Sequence, residues 1–245
     1  MPGQPRTTIV TGASRGIGAA VAERLAGDGF QVVINYAGRA EDAEAQVARI
    51  RASGGTASAI RADVSEPAAV RALFDEAERT YGGVDVLVSN AGIMQLAPLA
   101  EADDALFDRH IAVNLKGAFN GMREAARRFK SGGRIISFSS SVVGLYQPTY
   151  GVYAATKSAI EALTHVLAQE MRGRNVTVNA VAPGPTGTDL FFAGKPPELI
   201  DRLSKLAPLE RLGRPADIAA VVAFLAGPDG AWINGQVLRA NGGIV

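Results

Sequence analysis

A single α/β domain, a doubly wound parallel sheet with helices on both faces, is the fold this sequence predicts. Three observations predict it. Short apolar runs alternate with longer segments of helical spacing along the whole chain, as in a parallel sheet whose crossovers cover both faces. The first strand runs directly into a glycine-rich turn that opens a helix. No linker, composition shift or repeat interrupts residues 1–245, and 47% hydrophobic content supplies one sizeable core.

The elements follow in order. Residues 7–10 form the first strand and lead into Thr11-Gly12-Ala13-Ser14-Arg15-Gly16-Ile17-Gly18, after which Ala19, Val21, Ala22 and Leu25 continue at helical spacing. The glycines let a ligand approach the main chain, and the helix start offers free N–H groups to phosphate oxygens. Residues 31–35 are the second strand, 41–53 a helix ended by Gly54-Gly55, and 56–61 a third strand closed by Asp63 and Val64. Pro67 opens the next helix, with Val70, Leu73, Phe74, Ala77 and Tyr81 on one face. The strand at 84–88 ends in Ser89-Asn90-Ala91-Gly92, at the carboxyl edge where open α/β sheets bind ligands. A long helical stretch, 102–130, contains Asn114, and a strand at 134–139 runs into Ser140 and Ser141. A helix over 151–171 and a strand at 175–181 follow, the latter entering Pro183-Gly184 and Thr188. Residues 189–206 read as a mobile lid, 216–225 as a short helix and 236–239 as the last strand. Handedness and order rules make this a Rossmann-type sheet.

Composition narrows the function. The net charge of +1 and the lack of a basic run interleaved with aromatics argue against a nucleic-acid partner. Without cysteine, disulfides, thiolate metal sites and cysteine nucleophiles are excluded, and a reducing compartment fits. His110 and His165 lack ligand spacing, so no metal is expected and both read as structural or surface residues. No secretory leader pattern or bilayer-length apolar run is present, so the expectation is a cytoplasmic protein without a membrane partner.

The chemistry is read from Tyr153 and Lys157. Four apart on a helix, they share a face. A free phenol titrates near 10 and is a poor base at neutral pH, and a neighbouring ammonium is expected to lower that value. Such a pair suits a proton shuttle for carbonyl/alcohol redox chemistry, though alone it is a weak motif. At the second strand, where NAD-selective sites carry an acid for the ribose, the sequence is Asn35-Tyr36-Ala37-Gly38-Arg39. Arg15 and Arg39 suit a 2′-phosphate, so NADP(H) is expected over NAD(H).

Together these residues resemble the short-chain dehydrogenases/reductases of the classical type. The resemblance covers nearly the whole chain: the glycine turn at 11–18, Asp63, Asn90-Ala91-Gly92, Asn114, the serines at 139–141, Tyr153-x-x-x-Lys157 and Pro183-Gly184. It implies that Tyr153 is the catalytic acid/base, that Lys157 tunes it and holds the cofactor ribose, and that Asn114 binds a water linking Lys157 to solvent. It implies that Gly12, Ser14, Arg15, Gly16, Ile17 and Gly18 line the pyrophosphate and adenosine side, with Asn35 and Arg39 beside them. Asp63 and Val64 would contact adenine, Asn90, Ala91 and Gly92 would flank the cofactor, and Pro183, Gly184 and Thr188 would sit beside the nicotinamide. A serine would bind the substrate oxygen. Counting back from Tyr153 gives Ser140, the choice made here, whereas aligning on Ser-x-x-Gly gives Ser141 with Gly144. Ser89 stands where many relatives have Asn.

Leu190, Phe191 and Phe192 suggest an apolar wall of the lid, with 144–148 opposite, for a small ketone, aldehyde or secondary alcohol. A 3-oxoacyl-[acyl-carrier-protein] reductase is the alternative, with Arg128 and Arg172 as candidate carrier contacts. A non-catalytic dinucleotide-binding protein is a third reading. The resemblance also implies a homo-oligomer, a tetramer pairing the helices at 102–130 and 151–172 and the C-terminal strand region.

Overall fold

The computed structural model describes residues 5–245; the first four, assigned above to the same domain, lie outside the described residues. Seven strands form one sheet: β1 (Thr7–Val10), β2 (Gln31–Tyr36), β3 (Thr56–Arg61), β4 (Val86–Ser89), β5 (Arg134–Phe138), β6 (Thr177–Pro183) and β7 (Val237–Ala240). Their order is β3-β2-β1-β4-β5-β6-β7, and every pairing is parallel. The order reverses between β1 and β4. Crossovers leave that point in opposite directions and open a crevice above the carboxyl ends of the two strands.

Neighbouring residues of one strand serve two cores, as the pleat requires. Val10, Ile34, Val88 and Ile136 pack with α1 (Gly16–Gly27), α2 (Ala40–Ala52) and α10 (Pro215–Ala226). Ile9, Val33, Leu87 and Ile135 pack on the other face with α3 (Pro67–Tyr81), α5 (Gly117–Arg128) and α7 (Gly151–Glu170). Strands buried on both faces read as continuous apolar runs, which is why they were visible in the sequence. Pro67 occupies the first turn of α3, where its missing N–H costs nothing, and Gly82 ends that helix in the left-handed region with φ 85°.

Three stretches differ from expectation. The helix expected over 102–130 is α4 (Asp104–His110), a π-helical turn at Ile111–Lys116, and α5. Apolar spacing does not reveal such a turn, because it adds one residue within an otherwise continuous helix. The fourth strand begins at Val86 rather than Val84, and the Asp85 carboxylate accepts a hydrogen bond from the Thr7 N–H at 2.8 Å beside the first ladder rungs. The lid contains two short helices, α8 (Asp189–Phe192) and α9 (Pro197–Ser204), each with a start signal: Thr188 accepts from the Phe191 N–H, and Pro197 sits at the first turn. A further short helix, α6 (Val142–Leu145), precedes α7.

Arg128, named above as a candidate carrier contact, links α5 to α3. It pairs with Asp75 at 2.7 Å, Glu78 at 3.1 Å and the buried Glu124 at 3.1 Å. Its guanidinium lies 5.6 Å from the centroid of the fully buried Phe74 ring, which also meets Phe129 at 6.5 Å. Truncating Phe74 leaves a cavity under this contact. Phe74→Ala is expected to lower unfolding free energy by about 3–5 kcal/mol in a urea titration; a loss under about 1 kcal/mol would show that this core collapses freely.

Candidate active site

The crevice between β1 and β4 is floored by backbone. Gly12 has φ +64°, and a Cβ there would lie 2.9 Å from Ala91 Cα; at Gly18 it would lie 2.6 Å from both Asn90 Nδ2 and the Gly12 carbonyl. Only glycine fits at these two points. Ser14, Arg15, Gly16 and Ile17 continue the cleft wall into the start of α1, whose first turn carries no acid and no side-chain cap. Its early N–H groups and positive dipole end are therefore free to meet a phosphate. Asn35, Arg39, Asp63 and Val64, from the ends of the adjacent strands β2 and β3, line the cleft together with Ala91 and Gly92. This cradle fits a dinucleotide: a pyrophosphate at the glycine turn, and an adenosine between β2 and Asp63.

Two of these side chains differ from a simple contact role. Asn35 is buried and donates to the carbonyls of Ala62 at 3.0 Å and Ile60 at 3.4 Å, so it ties β2 to β3. Arg39 is exposed and pairs with Asp42 at 3.3 Å. Asp63 accepts from both the Oγ (2.7 Å) and the N–H (2.9 Å) of Ser65, and these bonds hold its carboxyl below the usual carboxylate range.

The cleft continues into a second cavity at the ends of β5 and β6. Ile17, Asn90, Gly92 and Thr188 line both. Here α7 presents Tyr153 and Lys157 one turn apart, with the Lys157 ammonium 5.6 Å from the Tyr153 ring centroid. Lys157 is buried and donates to the Phe138 carbonyl at 2.8 Å. Burial without a counter-ion pulls its ammonium down to about 8. Tyr153 is hydrogen-bonded by Ser140. Its pKa corrects the expectation from sequence: burial pushes the phenol up to about 12, against the opposing pull of the Ser140 bond. Desolvation outweighs that bond, Tyr150 adds to the rise, and the phenol carries its proton at neutral pH.

The three serines separate cleanly. Ser139 donates to Glu161 at 2.6 Å. Ser141 is buried, donating to the Ala182 carbonyl at 3.2 Å and accepting from Asn241 at 3.0 Å. All three border the Tyr153 cavity, and Ser140 is the one hydrogen-bonded to Tyr153. Asn114, at the middle of the π turn, lines neither cavity; its amide accepts from the Ile93 N–H at 2.8 Å and donates to the Ile93 carbonyl at 2.9 Å. A water relay would have to use its remaining lone pair or its peptide carbonyl. Pro183 and Gly184 border the Tyr153 cavity, and a Cβ on Gly184 would meet Asn241 Cα at 2.8 Å.

Comparison with known proteins agrees with this geometry. A family model described as enoyl-(acyl carrier protein) reductase matches residues 12–245. A short-chain type dehydrogenase/reductase of Picea abies is 47% identical over 98% of this chain and 92% of its own. The chain belongs to the short-chain dehydrogenase/reductase family. An NADPH-dependent aldehyde reductase-like protein of Arabidopsis thaliana, described as chloroplastic, is 42% identical over 100% of this chain and 96% of its own. Among solved structures, a short-chain dehydrogenase of Burkholderia cenocepacia in complex with NADP superposes with a TM-score of 0.93 at 40% identity, covering 98% of each chain. As a member of this family the protein is an NAD(P)-dependent oxidoreductase. Among the described residues, no helix is long and apolar enough to cross a membrane.

In this dehydrogenase/reductase several site residues had escaped the sequence reading. Thr11 Oγ accepts from the N–H groups of both Asn90 and Ala91 at 3.0 Å. Tyr150 stands edge-on to Tyr153 with centroids 6.5 Å apart and lines the cavity; its place three residues before Tyr153 was the available signal. His110, read above as structural or surface, is buried and structural: it accepts from the Gln95 N–H at 3.2 Å, its Nδ1 lies 2.8 Å from the Leu106 carbonyl, and its ring stands 6.4 Å from that of Tyr153.

The two displaced pKa values set a pH dependence of stability. Between about 8 and 10.5 the unfolded Lys157 holds a proton that the folded one has released, so stability rises with pH across that window. Between 10.0 and about 12 the folded Tyr153 keeps a proton that the unfolded one loses, so stability falls there. The difference in unfolding free energy between wild type and Lys157→Met should shift in favour of wild type by roughly 2–3 kcal/mol between pH 7.5 and pH 10. A flat difference across urea titrations would show that Lys157 is solvated in the folded state.

Proposed function

We propose that this enzyme is an NADP(H)-dependent carbonyl reductase, interconverting a ketone or aldehyde and its alcohol with Tyr153 as acid/base. One observation carries the reading. Two hydroxyls, Ser140 and Tyr153, meet in a largely apolar cavity that opens from the dinucleotide cleft. A bound nicotinamide cofactor supplies the hydride. Ser140 and Tyr153 donate hydrogen bonds to the substrate oxygen, which polarise the carbonyl and fix its orientation. Tyr153 then gives its proton to that oxygen as negative charge builds there. Lys157 stabilises the resulting phenolate through space and uses its remaining N–H groups on the cofactor ribose. Asn114 holds Ile93, and with it the loop beside Gly92.

Support for NADP(H) over NAD(H) comes from Arg15 and Arg39 beside a β2 exit with no carboxylate before Glu41, and from the NADP named with the Burkholderia cenocepacia relative. The carrier-protein alternative draws no support from the cations first considered for it. Arg128 is occupied by three acids, and Arg172 follows the far end of α7, about 25 Å along the helix from Tyr153. A homotetramer remains our reading of the assembly, supported by exposed apolar side chains on the expected faces: Phe107, Phe119, Val166 and Trp232. The proposed compartment is cytoplasmic, which a chain without cysteine suits.

Tyr153→Phe keeps the ring and removes the proton. It should lower kcat for aldehyde reduction by at least the order of 10²–10⁴-fold while NADPH binding, followed by fluorescence titration, persists. Ser140→Ala should lower kcat by on the order of 10²-fold, whereas Ser141→Ala should chiefly lower stability. A larger kcat loss from Ser141→Ala would reassign the substrate-binding serine. Arg39→Ala should raise KM for NADPH about tenfold and leave that for NADH little changed; equal effects on both would remove the 2′-phosphate role.

A further inference from the structure

Beyond Tyr153 the cavity opens outward into a groove under the lid. Gln147, Tyr150, Leu203 and Leu206 line both, so one continuous path leads from the reacting hydroxyls to the surface. The inner part contains no ionisable side chain apart from Tyr150, Tyr153 and Lys157, and no carboxylate lines either part. The outer groove carries two cations, Lys195 and Arg202.

The placement of Arg202 is the informative feature. Leu199, Arg202, Leu203 and Leu206 all face the groove, the i, i+3, i+4, i+7 stripe that an amphipathic helix gives to apolar residues. A guanidinium therefore occupies a position in the apolar row of α9 and its continuation. Among the described residues it makes no ion pair within 4.0 Å, and the acid beside it, Asp201, is taken by Lys205 at 2.7 Å. Lys195 is held at the same rim: its Nζ donates to the Phe191 carbonyl at 2.7 Å and lies 4.9 Å from the Phe191 ring centroid, which leaves two N–H donors for another partner.

We propose that the substrate carries an anionic group, a carboxylate or a phosphate ester, at the end remote from its carbonyl, and that Arg202 and Lys195 receive it. This rests on the carbonyl-reductase reading above. The carbonyl enters to Ser140 and Tyr153, an apolar spacer crosses the Tyr150 and Leu203 wall, and the anion stays at the mouth. A guanidinium suits this task, because its fork bonds two oxygens of a carboxylate or phosphate at once. An anion held at the rim keeps its remaining oxygens hydrated, so little desolvation opposes binding.

The test uses the intact enzyme with NADPH and three homologous series of straight-chain aldehydes, ending in a carboxylate, in its methyl ester, or in a phosphate ester. At the best chain length, kcat/KM for an anionic series should exceed that for the ester by about tenfold or more, with the advantage falling as salt is raised. Whichever anionic series leads identifies the head group. In Arg202→Gln and in Lys195→Gln the ratio of anionic to ester kcat/KM should fall severalfold, through KM, and in the double variant it should approach one. Esters turned over as well as the acids by the wild type would overturn the proposal, as would an unchanged ratio in the double variant. Turnover of none of the aldehydes, with NADPH shown to bind, would overturn the carbonyl-reductase reading and this proposal with it.

Discussion

Asn90 donates both amide protons across the gap between β1 and β4, to the carbonyls of Thr11 at 2.9 Å and Gly12 at 3.1 Å. In return Thr11 Oγ accepts from the N–H groups of Asn90 and Ala91. Four backbone groups at the switch point are thereby satisfied by two side chains. This matters because crossovers leave there in opposite directions, and the strand ends lose the ladder partners that would otherwise serve them. The brace also dictates the glycines: Gly18 has no Cβ because the Asn90 amide and the Gly12 carbonyl occupy its place. A backbone floor without side chains at Gly12 and Gly18 allows phosphates to approach closely, and Lys157 and Asn114 reach the same floor near Gly92.

The sheet was legible in the sequence for a physical reason. Strands such as Val32-Val33-Ile34 serve two cores at once, so every position is apolar and the run stands out between helices. Helix α3 was equally plain, with Pro67 at its start, a single apolar face and Gly82 at its end. The π turn around Asn114 was not: it accompanies the bonding of Asn114 to Ile93, a contact between residues 21 apart that no local pattern encodes. The lid read as mobile because its helices are short and none of the residues in them is buried, leaving too few periods to detect.

The same division holds within the site. The glycine turn and the Tyr153/Lys157 pair depend on neighbours in sequence, so spacing revealed both. The choice among serines depends on distant partners. Ser141 looks free in the sequence, yet Asn241, 100 residues later, donates to its hydroxyl. Ser139 points to Glu161 on α7 instead. Ser140 is left to pair with Tyr153 once its neighbours are engaged, through contacts that exist only when α7, β6 and the C-terminal segment have docked. The acid/base properties were also beyond the sequence, since helical spacing gives the distance of a cation and not the depth of burial that opposes it.

That depth bears on how the site works. A buried ammonium with three donors ordinarily collects several acceptors or a carboxylate. Lys157 has one protein acceptor among the described residues, the Phe138 carbonyl, and no acid in contact. A fold selected for stability alone would place Met or Leu on this turn of α7, beside Ile160 and Val152. Retaining a cation there costs stability at neutral pH and leaves two donors at the edge of the Tyr153 cavity. The same reasoning covers Tyr153, whose burial holds the proton on the phenol; in the reaction proposed above, developing charge on a bound oxygen, with the ammonium close by, would favour its release. Both side chains are displaced from their ordinary titration in the directions that oppose charge, and in the proposed reaction a reacting carbonyl would reverse that balance by bringing the charge they lack.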